Sequence, residues 1–378
     1  MKVVVAIDSF KGSMTSMQAG NACRDGILAA TAAEVIVKPL ADGGEGTVQA
    51  LVEGLGGTYE YVTVTGSMGN QVKARYGILE NKTAVMEMAE ASGITLVNGN
   101  RNPWKATSVG VGEMILDAVK KGCREFIIGI GGSATTEGGI GMLSALGYEF
   151  FDAKGNKLPP FFPSLAKVAQ VKRDNVVKEL SDCHFQIACD VKNPLCGPEG
   201  SVFVFGPQKG VKEAEKEEMD AAMRAYAACL ENFVGIENKK ELYNIPGAGA
   251  AGGLGFAFLW GLQNVRLKSG IDIVLDAVGL KEELKDADIV VTGEGHMDCQ
   301  TAMGKVPVGV AQAAKRYGCK VIALAGGVTE DAKKCNEKGI DAFFSILPGV
   351  CSLEEAMDTE TAQKNMKNTA EQVFRLIS

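Results

Sequence analysis

The segment Lys2-Val3-Val4-Val5-Ala6-Ile7-Asp8-Ser9-Phe10-Lys11-Gly12-Ser13 runs apolar and β-branched to Ile7 and turns polar at Asp8. Such an unbroken run predicts a strand buried on both faces, the habit of parallel sheets. Ser13 can then cap a helix whose apolar positions Ala19, Ala22, Cys23, Gly26, Ile27 and Ala30 recur at helical spacing. The pattern repeats: residues 34–40 form a second such strand, a turn follows at Asp42, and Val48, Leu51, Val52 and Leu55 mark a helix. Strand, turn and helix twice over imply parallel strands.

The same alternation returns at the far end of the chain. Residues 287–292 read as a strand, 306–317 as a helix stopped by Gly318, 321–325 and 342–347 as two more strands, and a last helix starts near Ser352. Between these stretches the period changes to two. Residues 59–64 and 72–79 alternate apolar and polar around Gly69-Asn70, which predicts an antiparallel hairpin. A helix carrying Gly112, Ile115, Leu116 and Val119 ends at Gly122, the strand 126–130 runs into a glycine-rich turn, and a helix with Gly139, Leu143 and Leu146 follows. The expected fold is therefore α/β with two domains. Residues 1–57 plus 285–378 make a discontinuous parallel-sheet domain, and residues 58–284 make an inserted α/β domain with a mixed sheet. Ligands of open α/β sheets bind beyond the carboxyl ends of the strands, so the active site is expected in a cleft between the two domains.

The composition narrows the function. With 378 residues, two ordinary domains are the prior, and 46% apolar content is enough to fill both. The 47 glycines are about 12% of the chain against a usual share of roughly 7%, and they sit in turns between periodic segments. A net charge of −7 spread along the sequence gives nucleic-acid binding no support. An anionic substrate would have to be held by local cations and N–H groups. None of the ten cysteines forms a Cys-x-x-Cys pair, and only His184 and His296 are present, so no zinc cluster is indicated. Buried, reduced thiols, a first strand in place of a signal peptide and no apolar run of membrane-spanning length together predict a cytoplasmic, non-membrane protein.

Five strand ends carry candidate chemistry. Asp8-Ser9-Phe10-Lys11-Gly12-Ser13 offers an acid, a cation and two hydroxyls, where a solvated helix cap is the plainer alternative. Asp42-Gly43-Gly44-Glu45-Gly46-Thr47 sets two carboxylates around a flexible turn at a helix start. Acids capping a helix dipole would also explain it, but glycines at three of four positions are costly unless backbone must approach something. Gly131-Gly132-Ser133-Ala134-Thr135-Thr136-Glu137-Gly138-Gly139 has the look of an anion nest opening onto a helix. It is not a Walker A loop, because the chain has no Gly-Lys-Ser/Thr. Cys189-Asp190-Val191-Lys192 and Thr292-Gly293-Glu294-Gly295-His296-Met297-Asp298, with Lys305 beyond, complete the set. Gly247-Ala248-Gly249-Ala250-Ala251-Gly252 has the spacing of a dinucleotide fingerprint, with Asp272 about 20 residues on. No buried strand precedes it, so it reads instead as a close-approach turn. A serine-hydrolase reading fails, since threonine and not glycine stands two positions after Ser133.

Taken together, these segments and Phe205-Gly206-Pro207-Gln208-Lys209-Gly210 resemble the bacterial glycerate kinase family of the glyoxylate and sugar-diacid type, over nearly the whole chain. The resemblance implies a flavodoxin-like first domain and phosphorylation of D-glycerate with ATP and Mg2+, 2-phosphoglycerate being favoured over 3-phosphoglycerate. The expected partners are those small molecules, and a homodimer is admitted. In this reading Lys11 and Lys192 neutralise the transferring group and Asp190 is the base. Asp42, Glu45, Glu294 and Asp298 form the metal shell. Asp8, Ser9, Gly43, Gly44, Gly131, Gly132, Ser133, Thr135, His296 and Lys305 bind substrate or phosphate. The family usually has arginine where this chain has His296, which would hold an anion more weakly and only when protonated. A nicotinamide-dependent hydroxy-acid dehydrogenase and a non-catalytic glycerate sensor are the alternatives.

Overall fold

The computed structural model describes residues 1–97, 99, 101–233 and 241–377. Its strands are β1 Lys2–Ile7, β2 Glu34–Val37, β3 Gly57–Thr65, β4 Gln71–Leu79, β5 Thr83–Glu87, β6 Glu125–Gly129, β7 Glu149–Phe151, β8 Gln170–Lys172, β9 His184–Ala188, β10 Val265–Lys268, β11 Ile289–Met297, β12 Lys320–Val328 and β13 Ala342–Ser345. They distribute over two compact units. One comprises Met1–Asp42, Gly46–Gly57 and Gly270–Ser378, the other Gly43–Glu45 and Thr58–Ser269.

The first unit has a five-stranded sheet in the order β13-β12-β11-β1-β2, parallel throughout. Strand β1 is paired on both sides, Val3 with Ile289 and with Val35, and Val3, Val4 and Val5 are wholly buried, as its unbroken apolar run predicts. On one face Val3, Val5 and Ile7 join Cys23 and Ile27 of the helix Ser16–Ala30 and Met366 and Phe374 of the helix Thr359–Ile377 in one core. The helix cap is Thr15, not Ser13: its hydroxyl accepts the Gln18 N–H at 3.1 Å, while the Gln18 side chain accepts the Thr15 N–H at 2.9 Å. This capping box satisfies two orphan donors at once. Strand β2 stops at Val37, short of the expected residue 40. The segment read as a glycine turn, 292–295, is instead strand, because β11 pairs with β12 as far as Met297. Glycine is needed there for sheet packing, since a Cβ on Gly293 would lie 2.0 Å from the Leu324 carbonyl oxygen.

In the second unit the six-stranded sheet has the order β10-β9-β6-β5-β4-β3. Strands β5, β6, β9 and β10 are parallel and β4 is antiparallel to β5, giving the mixed sheet foreseen. The connection from β3 to β4 closes with the Gly66 N–H on the Asn70 carbonyl at 2.6 Å. The core gathers Phe126, Phe185, Tyr226, Phe258 and Trp260 among many aliphatic side chains.

Candidate functional site

Parallel strands bring their carboxyl ends to one side, and in the first unit β1 and β11 carry acids there. Asp8 directly follows β1, tied by its N–H to the Gly293 carbonyl at 2.9 Å. The residue is only 7% exposed, and its carboxylate accepts the Ser9 N–H at 2.7 Å. Burial, reinforced by the charge of Asp42, pushes Asp8 up to about 7; Ser9 and Lys11 oppose the rise and Glu294 adds to it. Glu294, on β11, is equally buried, takes a hydrogen bond from the Thr301 hydroxyl at 2.5 Å, and lies 3.9 Å from Lys305 Nζ. Burial shifts it upward as well, against Thr301 and Lys305 and with help from Asp298 and Asp42.

These groups border one cavity of about 470 Å³. Asp8, Ser9, Lys11, Asp42, Glu294, His296 and Lys305 line its polar part, and Phe10, Ile346, Leu347, Leu353 and Met357 its apolar part. Ser13 also lines it, with a buried hydroxyl that has no partner among the described residues. The sequence reading had counted Ser13 as a helix cap and as one of the two hydroxyls of this turn, without placing it among the site residues. His296 is exposed, and its ring lies over Gly327, its neighbour on β12, where a Cβ would come within 2.6 Å of Nδ1. Asp298 is not among the lining residues. Its carboxylate accepts the N–H groups of Gln300 and Thr301 at 2.8 and 3.2 Å at the start of a short 3₁₀ turn, which is the capping role.

The second unit has its own cavity, of about 560 Å³, lined by Gly43, Gly44, Glu45, Lys73, Glu87, Glu90, Gly131 and Gly132 among others. Glu45 is therefore placed with this cavity, apart from the lining that Asp42 and Glu294 share. A Cβ at Gly129, the last residue of β6, would lie 2.3 Å from the Gly43 carbonyl, so glycine there lets the 43–45 segment cross the strand end. Gly132 adopts φ +71°. Ser133 and Thr135 do not line the cavity. Both are buried, and Lys209 Nζ donates to Ser133 Oγ at 2.8 Å and to the Thr135 carbonyl at 2.7 Å. Glu137, wholly buried, accepts from the Ser108 N–H at 2.8 Å, the Ser108 hydroxyl at 2.5 Å and the Gly139 N–H at 2.9 Å. Lys209 and Glu137 both stand inside motifs that the sequence reading quoted, yet neither was singled out.

Asp190 and Lys192 are exposed beyond β9 and line neither cavity. The Ser269 hydroxyl donates to Asp190 Oδ1 at 2.8 Å. Since Gly129 and Ala188 are register partners on β6 and β9, Gly131 and Asp190 leave adjacent strands two residues beyond the same level. The 247–255 segment is a close-approach turn between parts of the protein. Ala251, Gly252 and Gly253 are left-handed, and a Cβ on Gly252 would lie 2.0 Å from the Thr135 carbonyl. Asp272 lies in the first turn of the helix Gly270–Ala277, not at the end of a strand, which removes the dinucleotide reading. Among the described residues no group of three or more His, Cys, Asp and Glu is gathered to hold a metal, and no helix is long and apolar enough to cross a membrane.

Residues 3–378 match the model of the glycerate kinase family, and the chain belongs to that family. It is 44% identical to the glycerate kinase of Halalkalibacterium halodurans, covering 94% of this chain and 93% of that one. It is 43% identical to the glycerate 2-kinase of Escherichia coli over the same shares of the two chains. A crystal structure of a candidate glycerate kinase 2 from Salmonella typhimurium LT2 is similar with a TM-score of 0.90 and 42% identity, covering 100% of this chain and 98% of that one.

Proposed function

We propose that this phosphotransferase moves the γ-phosphoryl group of ATP to D-glycerate, with 2-phosphoglycerate as the product. The observation that carries this is the first unit's cavity, where buried acids, two lysines and an apolar end meet. Burial and the like charge of Asp42 disfavour the ionised form of Asp8, pushing it up to about 7, and a cation beside these acids would relieve that repulsion. The donors are hard oxygens, and Mg2+ is commonly held by one or two carboxylates plus substrate phosphates, so a preassembled protein cage is not required. The residues fit the ion in that way: one or two of the cavity acids Asp8, Asp42 and Glu294 would hold it beside the phosphates, and it would supply neutralisation of the phosphate charge. Asp298 and Glu45 are left out of this set, one capping a turn and the other lining the second cavity.

The chain's own groups do the rest by positioning and charge. Lys11 and Lys305 face the polyphosphate, Ser13 donates its free hydroxyl, and Ile346, Leu347 and Leu353 take the base. In the second unit the Gly131 and Gly132 backbone and Lys73 receive the glycerate carboxylate, and Glu45 and Glu87 face its hydroxyls. Asp190, oriented by Ser269, accepts the proton of the attacking hydroxyl, and Lys192 adds positive charge nearby. All ten thiols are free, six of them buried, which suits the reducing cytoplasm where we place the enzyme.

A coupled ADP assay tests the reading. Turnover should require D-glycerate, ATP and a divalent ion, and phosphorus NMR of the product should show 2-phosphoglycerate. Equal turnover with glycerol would overturn it, since the second cavity is assigned to a carboxylate.

A further inference from the structure

Lys209 is 3% exposed, and no step of the proposed reaction uses it. Burying an ammonium is costly unless its hydrogen bonds and charge are answered. Two of its three donors are answered by Ser133 Oγ and the Thr135 carbonyl; burial pulls the ammonium down to about 7, and the charge of the buried Glu137 opposes that fall. Its backbone is held too: Lys209 ends a short 3₁₀ turn in which the Gln208 carbonyl accepts a hydrogen bond from Arg101 at 2.8 Å. Just ahead of Ser133, the Gly132 carbonyl accepts the Ile94 N–H at 2.8 Å. The N–H groups of Gly131 and Gly132, in contrast, donate to no protein acceptor among the described residues, and both glycines line the cavity of about 560 Å³. A Cβ at Gly131 would meet nothing within 4 Å, so that backbone can be approached from outside. Two unanswered amides on a cavity wall, with a buried lysine hydrogen-bonded to the next turns of the same loop, make an oxyanion subsite with built-in support.

We propose that Lys209 is a positioning residue for this subsite: from inside the fold it pins Ser133 and Thr135, and so presents the Gly131 and Gly132 amides to the carboxylate of the acceptor. The proposal rests on the kinase reading for the identity of that acid, and its test separates the two. Titration calorimetry with D-glycerate and, separately, with ATP is performed on the wild-type chain and on Lys209→Met, with thermal melting as the check of folding. The dissociation constant for D-glycerate should rise about tenfold, a loss of about 1.4 kcal/mol, while that for ATP stays within about twofold. In turnover, KM for D-glycerate should rise more than kcat falls. Should Lys209→Met not fold, Ser133→Ala keeps the lysine, removes one of its acceptors, and should weaken D-glycerate alone, by about threefold. Unchanged D-glycerate binding in a folded variant, or equal weakening of both ligands, overturns the proposal. D-glycerate binding that weakens in Lys209→Met, with no ADP formed by the wild-type chain, would sink the kinase reading only. Turnover insensitive to Lys209 would sink this proposal only, and a wild-type chain that binds no D-glycerate sinks both.

Discussion

Burial, and secondarily the charge of Asp42, push the Asp8 carboxyl in the folded chain up to about 7 from an ordinary 3.8. Between these values the unfolded chain releases its proton first, so folding loses stability as pH rises. The contribution is full below 3.8 and is lost as pH passes about 7. At about 1.4 kcal/mol per unit this amounts to a few kcal/mol. Asp8→Asn should therefore flatten the fall of Tm between pH 4 and pH 8 in metal-free buffer and raise Tm at the upper end. Added MgATP should stabilise the wild type more than the variant. Parallel melting curves for the two would show that Asp8 ionises without cost. Gly131 offers a second residue-scale test. Its φ is not left-handed and the space beside it is open, so Gly131→Ala should leave Tm unchanged or slightly higher. KM for D-glycerate should still rise by about tenfold, because the methyl occupies the approach to the amides. Normal kinetics would mean that the loop does not touch the substrate.

Among the elements, the helix Ser16–Ala30 and the helix Thr359–Ile377 approach so closely that a Cβ on Gly26 would sit 2.2 Å from the Lys367 carbonyl and 2.9 Å from Ala370 Cβ. Backbone cannot rotate away as a side-chain end can, so Gly26→Val must push the helices apart. Overpacking of this kind costs typically 1–3 kcal/mol. We expect about 3 kcal/mol in denaturant unfolding, with D-glycerate and ATP affinities unaltered in the fraction that folds. A loss under about 0.5 kcal/mol would show that the two helices can slide. The 292–295 segment follows the same logic inside a sheet. Its glycines look like a turn in sequence, but the backbone of β12 lies against Gly293, and extended pairing takes the place of the turn.

For the molecule as a whole, what could be read from sequence was what repeats. The β-branched run 2–7 and the alternation in 59–79 carry periods of their own, and both elements stand as read. Acids and glycines at strand ends were visible for the same reason, since they interrupt those periods. What could not be read depends on packing between distant segments. Nothing local says that Lys209 is interior: its burial is set by Ser133, Thr135 and the loop through Arg101, more than 70 positions away. Asp42 and Glu45 are three residues apart, yet they line different cavities, because the chain passes from one unit to the other at Gly43 and back at Gly46.

Strand β1 is paired on one side by β2, residues 34–37, and on the other by β11, residues 289–297. On a ribosome the first partner emerges almost at once. The second waits until nearly three hundred residues have been made, which at about 5–20 residues per second is tens of seconds of synthesis. Throughout that interval Val3, Val4 and Val5 present an open, apolar sheet edge, the kind of surface that recruits other chains. The whole six-stranded sheet of the second unit is complete by Lys268, before β11 begins. The nascent chain can thus complete the sheet of its middle first, while β1 waits for its second neighbour.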